Sequence, residues 1–239
     1  MCRNGGIRCP MRVVPFDNQK FAAAGKSPAW KPGDGAVAFG NPKFALVLHV
    51  TVTNDEGSPL YDQILRAEAG GGMAVVVNEQ GEIGLQHHAF RPQTNNQEAW
   101  KEAWPNVEPL VAELGRTSWE LARGFAGLKK KQEGAESGAD TAVRETEEET
   151  QSVVVSAESL GQVCDNTAMS PHMTAIMLVR VDQTRKPSVV ADPHEKFLSP
   201  LTFFNRKQVV KMMGSGEIYC GYTLGGIARW LTLGETEKK

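Results

Sequence analysis

The chain has 239 residues, 41% apolar and 23% charged, the ordinary balance of a globular protein that can bury a core. Its 26 basic and 28 acidic residues leave a net charge of −2, so bulk electrostatics gives it no route to nucleic acid or to an acidic membrane surface. An anionic substrate must be held locally, by a metal or by a few basic side chains.

The four cysteines, Cys2, Cys9, Cys164 and Cys220, form no C-x-x-C pair and are too sparse for a disulfide scaffold. They are read as reduced thiols. The first ten residues lack the apolar run of a secretion signal. No stretch approaches the roughly 18–20 apolar residues of a membrane span. The expectation is a cytoplasmic protein with no membrane partner.

Residues 1–43 are rich in Gly, Pro, Lys and Asn with weak periodicity, and are expected to form an irregular N-terminal extension before a main domain over 44–239. Phe44 to Thr53 is β-branched and reads as a strand. Tyr61 to Ala67 is its hairpin partner across Asn54-Asp-Glu-Gly57. Gly70-Gly71-Gly72 introduces a buried strand from Met73 to Asn78, which returns over Glu82 to Phe90. Residues 92–117 read as an insertion, Trp119 to Ala122 as a short strand, and 126–135 as a basic loop. A helix over about 138–150 follows. Val153–Val155, Thr174–Val181 and Leu198–Phe204 read as strands. Asn205 caps a helix to Met213, and Leu224 to Leu233 is a last amphipathic helix. Strands and helices mix with hairpins rather than alternating strictly, which predicts an α+β fold with a mixed sheet.

The helix over 138–150 carries the chemistry. Ser137 with Asp140 resembles a capping box and sets its start. Ala139, Ala142, Val143, Thr146 and Thr150 fall on one stripe, the expected core face. Glu145, Glu148 and Glu149 stand at i, i+3 and i+4 on a neighbouring stripe, where like charges repel. A hard divalent cation would relieve that repulsion. With no Cys or His in the cluster, the donors suit Mg²⁺ or Mn²⁺ rather than Zn²⁺. Metal on carboxylates can neutralise phosphate oxygens and activate water, and a free carboxylate can serve as base. By itself the stripe is equally the solvated face of an acidic helix.

Glu136, seven residues, Arg144-Glu145 and Glu148-Glu149 resemble the Nudix hydrolase signature, G-x5-E-x7-R-E-U-x-E-E-x-G-U with U aliphatic. Trp119-Glu-Leu-Ala-Arg-Gly-Phe125 is similar to the family's W-E-L-P-x-G approach, and Arg91-Pro92 to its R-P turn. Gly216-Glu217-Ile218 and Tyr222-Thr223-Leu224 are similar to the ending of the ADP-ribose pyrophosphatase-like branch. The likeness spans roughly 44–235. Lys130 stands where the signature glycine belongs, so Gly124 is taken as that glycine, with about six residues inserted after it. Thr146, Gln151, Ser152 and Ala122 replace the aliphatic, glycine, aliphatic and proline of the pattern.

The resemblance implies a Nudix-type α/β/α sandwich with a mixed sheet. It implies that Glu145, Glu148 and Glu149 hold Mg²⁺ (or Mn²⁺), with the backbone carbonyl of Arg123 or Gly124 as a further ligand. Arg144 would orient the carboxylates, and Glu136 would buttress the loop. A further acid from a later loop is expected at Glu195, with Asp182 and Asp192 as rivals. Arg91, Arg123 and Glu120 are candidate substrate contacts. The two arginines read more readily as surface or structural residues, and Glu120 equally as a strand-end ion pair. His87 and His88 face opposite sides of a strand and receive no role. Lys129–Lys131 read as a solvated loop. Trp100 and Trp104 are candidates to stack a base, as is Trp119, which is more often core.

The implied reaction is hydrolysis of a nucleoside diphosphate linked to another moiety, ADP-ribose-like first. Dinucleoside polyphosphates, nucleotide sugars and nucleoside triphosphates are the alternatives. A non-catalytic nucleotide sensor is the rival of another class. A small-molecule nucleotide partner and a homodimer are expected.

Overall fold

The computed structural model describes residues 12–27, 37–41, 45–68, 70–88, 118–126, 136–170, 172–189 and 198–236. The chain forms two compact units, Met1–Ala69 with Asn166–His172, and Gly70–Asp165 with Met173–Lys239.

In the first unit, β3 (Ala45–Thr53) pairs antiparallel with β4 (Pro59–Glu68) along its whole length. The hairpin turns where predicted, with Gly57 at φ +81 and the Ser58 amide donating to Asn54 Oδ1 at 2.8 Å. The other edge of β3 is shared by β1 (Arg12–Pro15) and β2 (Val37–Asn41). Helix α1 (Asn18–Ala23) starts on Asp17, whose side chain accepts from the Gln19 and Lys20 amides. Strands and a helix thus occupy parts of the segment expected to be irregular. Their signals are weak for a physical reason. All four residues of β1 are exposed, so it shows no alternation, and α1 is short, with only Phe21 buried.

The second unit is built on a mixed seven-stranded sheet. The path runs β11 (Thr202–Phe204), β6 (Ile83–His88), β5 (Gly71–Val77), β10 (Thr174–Asp182) and β9 (Val153–Val163). Strands β7 (Ser118–Glu120) and β8 (Ala122–Phe125) pair with β6 and β5. The expected single strand at Trp119–Ala122 is therefore two strands, broken at Leu121 and pairing with different neighbours. Among the described residues β5 and β10 form the parallel pair. The segment from Leu198 is extended as a ladder strand only over Thr202–Phe204.

β5 is buried along both faces, as a strand covered on both sides must be. Met73, Val75 and Val77 join the core with Val209 and Met212 of α3 (Arg206–Ser215) and with Ile227 and Trp230 of α4 (Gly221–Thr236). Ala74 and Val76 point the other way and pack with Ala142 of α2 (Gly138–Thr150). The result is an α+β protein whose mixed sheet lies between helices, an α/β/α sandwich. Helix α3 carries the predicted Asn205 cap, completed as a capping box by Gln208. Cys220 is a free thiol.

Candidate active site

Helix α2 begins and ends where the sequence places it. The Ser137 Oγ accepts from the Asp140 amide at 3.1 Å and donates to the Asp140 carboxylate at 2.8 Å. Its first turn is pressed onto the sheet. A Cβ on Gly72 would overlap the Gly138 carbonyl, and one on Gly138 would come within 2.6 Å of the Ala175 Cβ. Only glycine allows this approach at Gly72 and Gly138, while the neighbouring Gly71 makes room for the Gly124 carbonyl of β8. Ala139 and Ala142 face the core as predicted, and Thr146 is fully buried. Val143 and Thr150 are only half-buried. Instead the acidic stripe turns inward, leaving Glu145 at 7% and Glu149 at 8% exposure.

Arg144 is the hub. Its Nη1 lies 2.7 Å from Glu145 Oε1 and 2.7 Å from Glu148 Oε2. Its Nε and Nη2 donate to the Glu136 carboxylate at 3.0–3.3 Å, and Nη2 also donates to the Phe125 carbonyl. Glu136 accepts in addition from the Thr141 hydroxyl at 3.1 Å. Partial burial works against the charged guanidinium, but Glu136, Glu145 and Glu148 outweigh it and raise the Arg144 pKa. One arginine therefore ties Glu136 to two acids of the helix.

The third helix acid is anchored from the sheet. The Arg123 amide donates to Glu149 Oε2 at 3.1 Å. Register decides which backbone groups face the helix. The Ala126 amide donates to the Gly70 carbonyl, so alternation makes Gly72 and Gly124 the next hydrogen-bonded pair and directs the peptide groups of Arg123 away from β5. Gly124 serves in another way. A Cβ there would overlap the Glu145 carboxyl, so the absence of a side chain makes room for that acid. Position 124 is the one the sequence assigns to the signature glycine.

The Arg123 guanidinium lies elsewhere. It donates to Glu120 at 2.9 Å and stands 5.2 Å from the Tyr222 ring centre. Burial opposes its charge, while Cys220, Glu120 and Glu149 outweigh that and raise its pKa. Glu120 is fully buried and ion-paired. Trp119 packs edge-on against Phe204 at 5.1 Å and borders the core. Asp182 closes its own turn, accepting from Thr184 and Arg185. Arg91, Trp100, Trp104, Lys129–Lys131, Asp192 and Glu195 lie outside the described residues.

Gln151, at the glycine position of the pattern, adopts φ 53, the left-handed conformation glycine would take. Its side chain offsets part of the strain by donating to the Glu147 and Glu148 carbonyls at 3.2 and 2.9 Å.

The donor set is chemically compatible with a cation. Glu136, Glu145 and Glu148 converge on the Arg144 guanidinium, Glu120 meets the Arg123 guanidinium, and Glu149 accepts from the Arg123 amide, which brings carboxylates together in a partly buried place. All donors are oxygen, the choice of a hard divalent ion. Among the described residues no three His, Cys, Asp or Glu side chains already converge as a metal cage. Arg144 holds oxygens of Glu145 and Glu148 that a cation would share.

Two participants were not anticipated from sequence, Thr141 and Gln86. Gln86 is 1% exposed, and its amide donates to the Glu149 and Ser199 carbonyls, each at 3.0 Å. The available signal was alternation along β6. Ile83 and Leu85 enter the α3/α4 core, so Gln86 falls on the opposite face, a polar residue at a buried position.

This sandwich, with an acidic helix docked on glycines of a mixed sheet, is a Nudix-type fold. A crystal structure described as an ADP compounds hydrolase matches it with a TM-score of 0.56 and 10% identity, over 83% of this chain and 91% of that one. That likeness is one of fold. No protein-family model and no curated protein sequence matches the chain. Among the described residues no helix is long and apolar enough to cross a membrane.

Proposed function

We propose that the protein is a metal-dependent hydrolase cleaving the diphosphate linkage of a nucleoside diphosphate joined to another moiety, with ADP-ribose-like compounds as first substrates. The observation that carries this reading is the holding of Glu145 and Glu148 by Arg144 and of Glu149 by the Arg123 amide, all three on one helix, in a fold of this type. Glu145, Glu148 and Glu149 would hold Mg²⁺ or Mn²⁺, with the Arg123 carbonyl the better placed of the two backbone candidates. The metal, when bound, supplies neutralisation of phosphate charge and an acidified water. Arg144 keeps the carboxylates spread and oriented, and Glu136 fixes Arg144 in turn. Glu120 holds the Arg123 side chain and so steadies the strand that presents its backbone. Glu195 is proposed as the later acid and Arg91 as a phosphate contact. A homodimer is proposed as the assembly.

The test is a panel of ADP-ribose, dinucleoside polyphosphates, nucleotide sugars and nucleoside triphosphates with Mg²⁺ or Mn²⁺, read by chromatography of the nucleoside monophosphate released. Metal-dependent turnover of ADP-ribose, abolished by chelator, is the expected result. Turnover of another member would move the substrate assignment. Tight nucleotide binding with no turnover of any member would replace the enzyme by a nucleotide sensor.

A further inference from the structure

Gln86 lies outside the ion cluster, yet its side chain hydrogen-bonds both the end of the acidic helix and the strand-entry segment at Ser199. Its burial is nearly complete. The two carbonyls it meets are of the kind a fold leaves without partners. Glu149 is one residue from the end of α2, where the last four helix carbonyls have no partner inside the helix. Ser199 precedes the short β11 and is clamped again next door. Its hydroxyl accepts from the His87 amide at 2.7 Å, and its own amide donates to the His87 carbonyl at 3.2 Å. Both amide hydrogens of Gln86 are thus spent on backbone, one on each side.

The same residue sits in a closed circuit. Gln86 is the register partner of Glu120 on β7. Glu120 accepts from the Arg123 guanidinium, the Arg123 amide donates to the Glu149 carboxylate, and the Glu149 carbonyl accepts from Gln86. Glu149 is therefore held at both ends, its side chain by the strand and its backbone by Gln86. A Gln151 cap in a strained conformation two residues later makes this the turn of α2 most in need of an outside hold.

We infer that Gln86 is a positioning residue for metal binding, fixing the last turn of the acidic helix so that the Glu149 carboxylate is presented at a set place. This rests on the metal-hydrolase reading above. Residues that orient metal ligands from behind change metal affinity by about 10–100-fold when removed.

The experiment is Mn²⁺ titration of the full chain, by electron paramagnetic resonance of free Mn²⁺, on wild type, Gln86→Met, Gln86→Asn and Val209→Ala. Gln86→Met keeps the shape and loses both donors. Gln86→Asn keeps the donors on a shorter arm and stays informative should the first variant not fold. Val209→Ala lowers stability from the opposite face of the sheet. The expected result is Mn²⁺ affinity lowered about 10–100-fold in Gln86→Met, less in Gln86→Asn, and unchanged in Val209→Ala. Affinity in folded Gln86 variants equal to wild type, or an equal loss in Val209→Ala, overturns the inference and leaves the metal reading standing. Absence of Mn²⁺ binding by the wild type overturns both.

Discussion

Each unit of the chain buries polar side chains, and the two do so in opposite ways. In the first, His49 and Asp62 are each 2% exposed and meet at 2.8 Å, with Phe16 stacked on the imidazole at 3.9 Å and 14°. It is a short, buried pair under an aromatic lid. In the second, three carboxylates, Glu136, Glu145 and Glu148, converge on the one Arg144 guanidinium, and Glu148 and Glu136 keep part of their surface open. A buried one-to-one pair stabilises or specifies a fold. Like charges brought together work against the fold, and crowding of this kind is what makes the second a candidate site.

The comparison breaks most sharply on the acidic side. Glu148→Gln and Glu149→Gln should each lower turnover roughly 10²–10⁴-fold, the range of a positioned carboxylate in catalysis. Circular dichroism should be unchanged, and thermal stability equal to or above wild type, because each removes a charge from a crowded place. A loss of activity matched by loss of fold would make these residues structural. At the buried His49–Asp62 pair the expectation inverts. Asp62→Ala strands the buried His49 and should cost about 1–3 kcal/mol in denaturant unfolding. The double replacement His49→Phe with Asp62→Leu should recover most of it. Failure to recover would mean that the pair serves something other than packing.

Legibility in the sequence follows the same division. The hairpin of β3 and β4, the buried β5, and α2 and α3 were readable because their patterns are local, in alternation, caps and turn residues. The acids of the site were readable because a helix fixes their spacing. What was hidden depends on register and contact across long separations. The Leu121 break is set by β7 and β8 choosing different partners. Gln86 gains its meaning from residues more than sixty positions away. The inward turn of Glu145 is permitted by Gly124, which a motif could suggest but only packing could explain.

A smaller effect tests how strained the end of the acidic helix is. Non-glycine residues in the left-handed conformation carry roughly 1–2 kcal/mol, and Gln151 offsets some of that with its two side-chain hydrogen bonds. Gln151→Gly should therefore stabilise the chain by only about 0.5 kcal/mol in denaturant unfolding, the surviving part of the strain relief. A loss of stability would mean that the side-chain bonds outweigh the backbone.

The smallest effect separates an acid that titrates in its own turn from acids gathered for a ligand. The Thr184 hydroxyl and amide, and then Arg185, hold the Asp182 pKa at about 2, below its ordinary 3.8. A carboxylate depressed in the folded state favours folding only while ionised, so its contribution is complete above 3.8 and fades as the pH falls toward about 2. Asp182→Asn should consequently melt slightly below wild type at neutral pH. The gap between the two melting curves should close as the pH is lowered through that window. Metal-dependent turnover should not change, because Thr184 and Arg185, which hydrogen-bond Asp182, belong to its own turn. A turnover loss comparable to that of Glu149→Gln would instead bring Asp182 back as the later acid in place of Glu195.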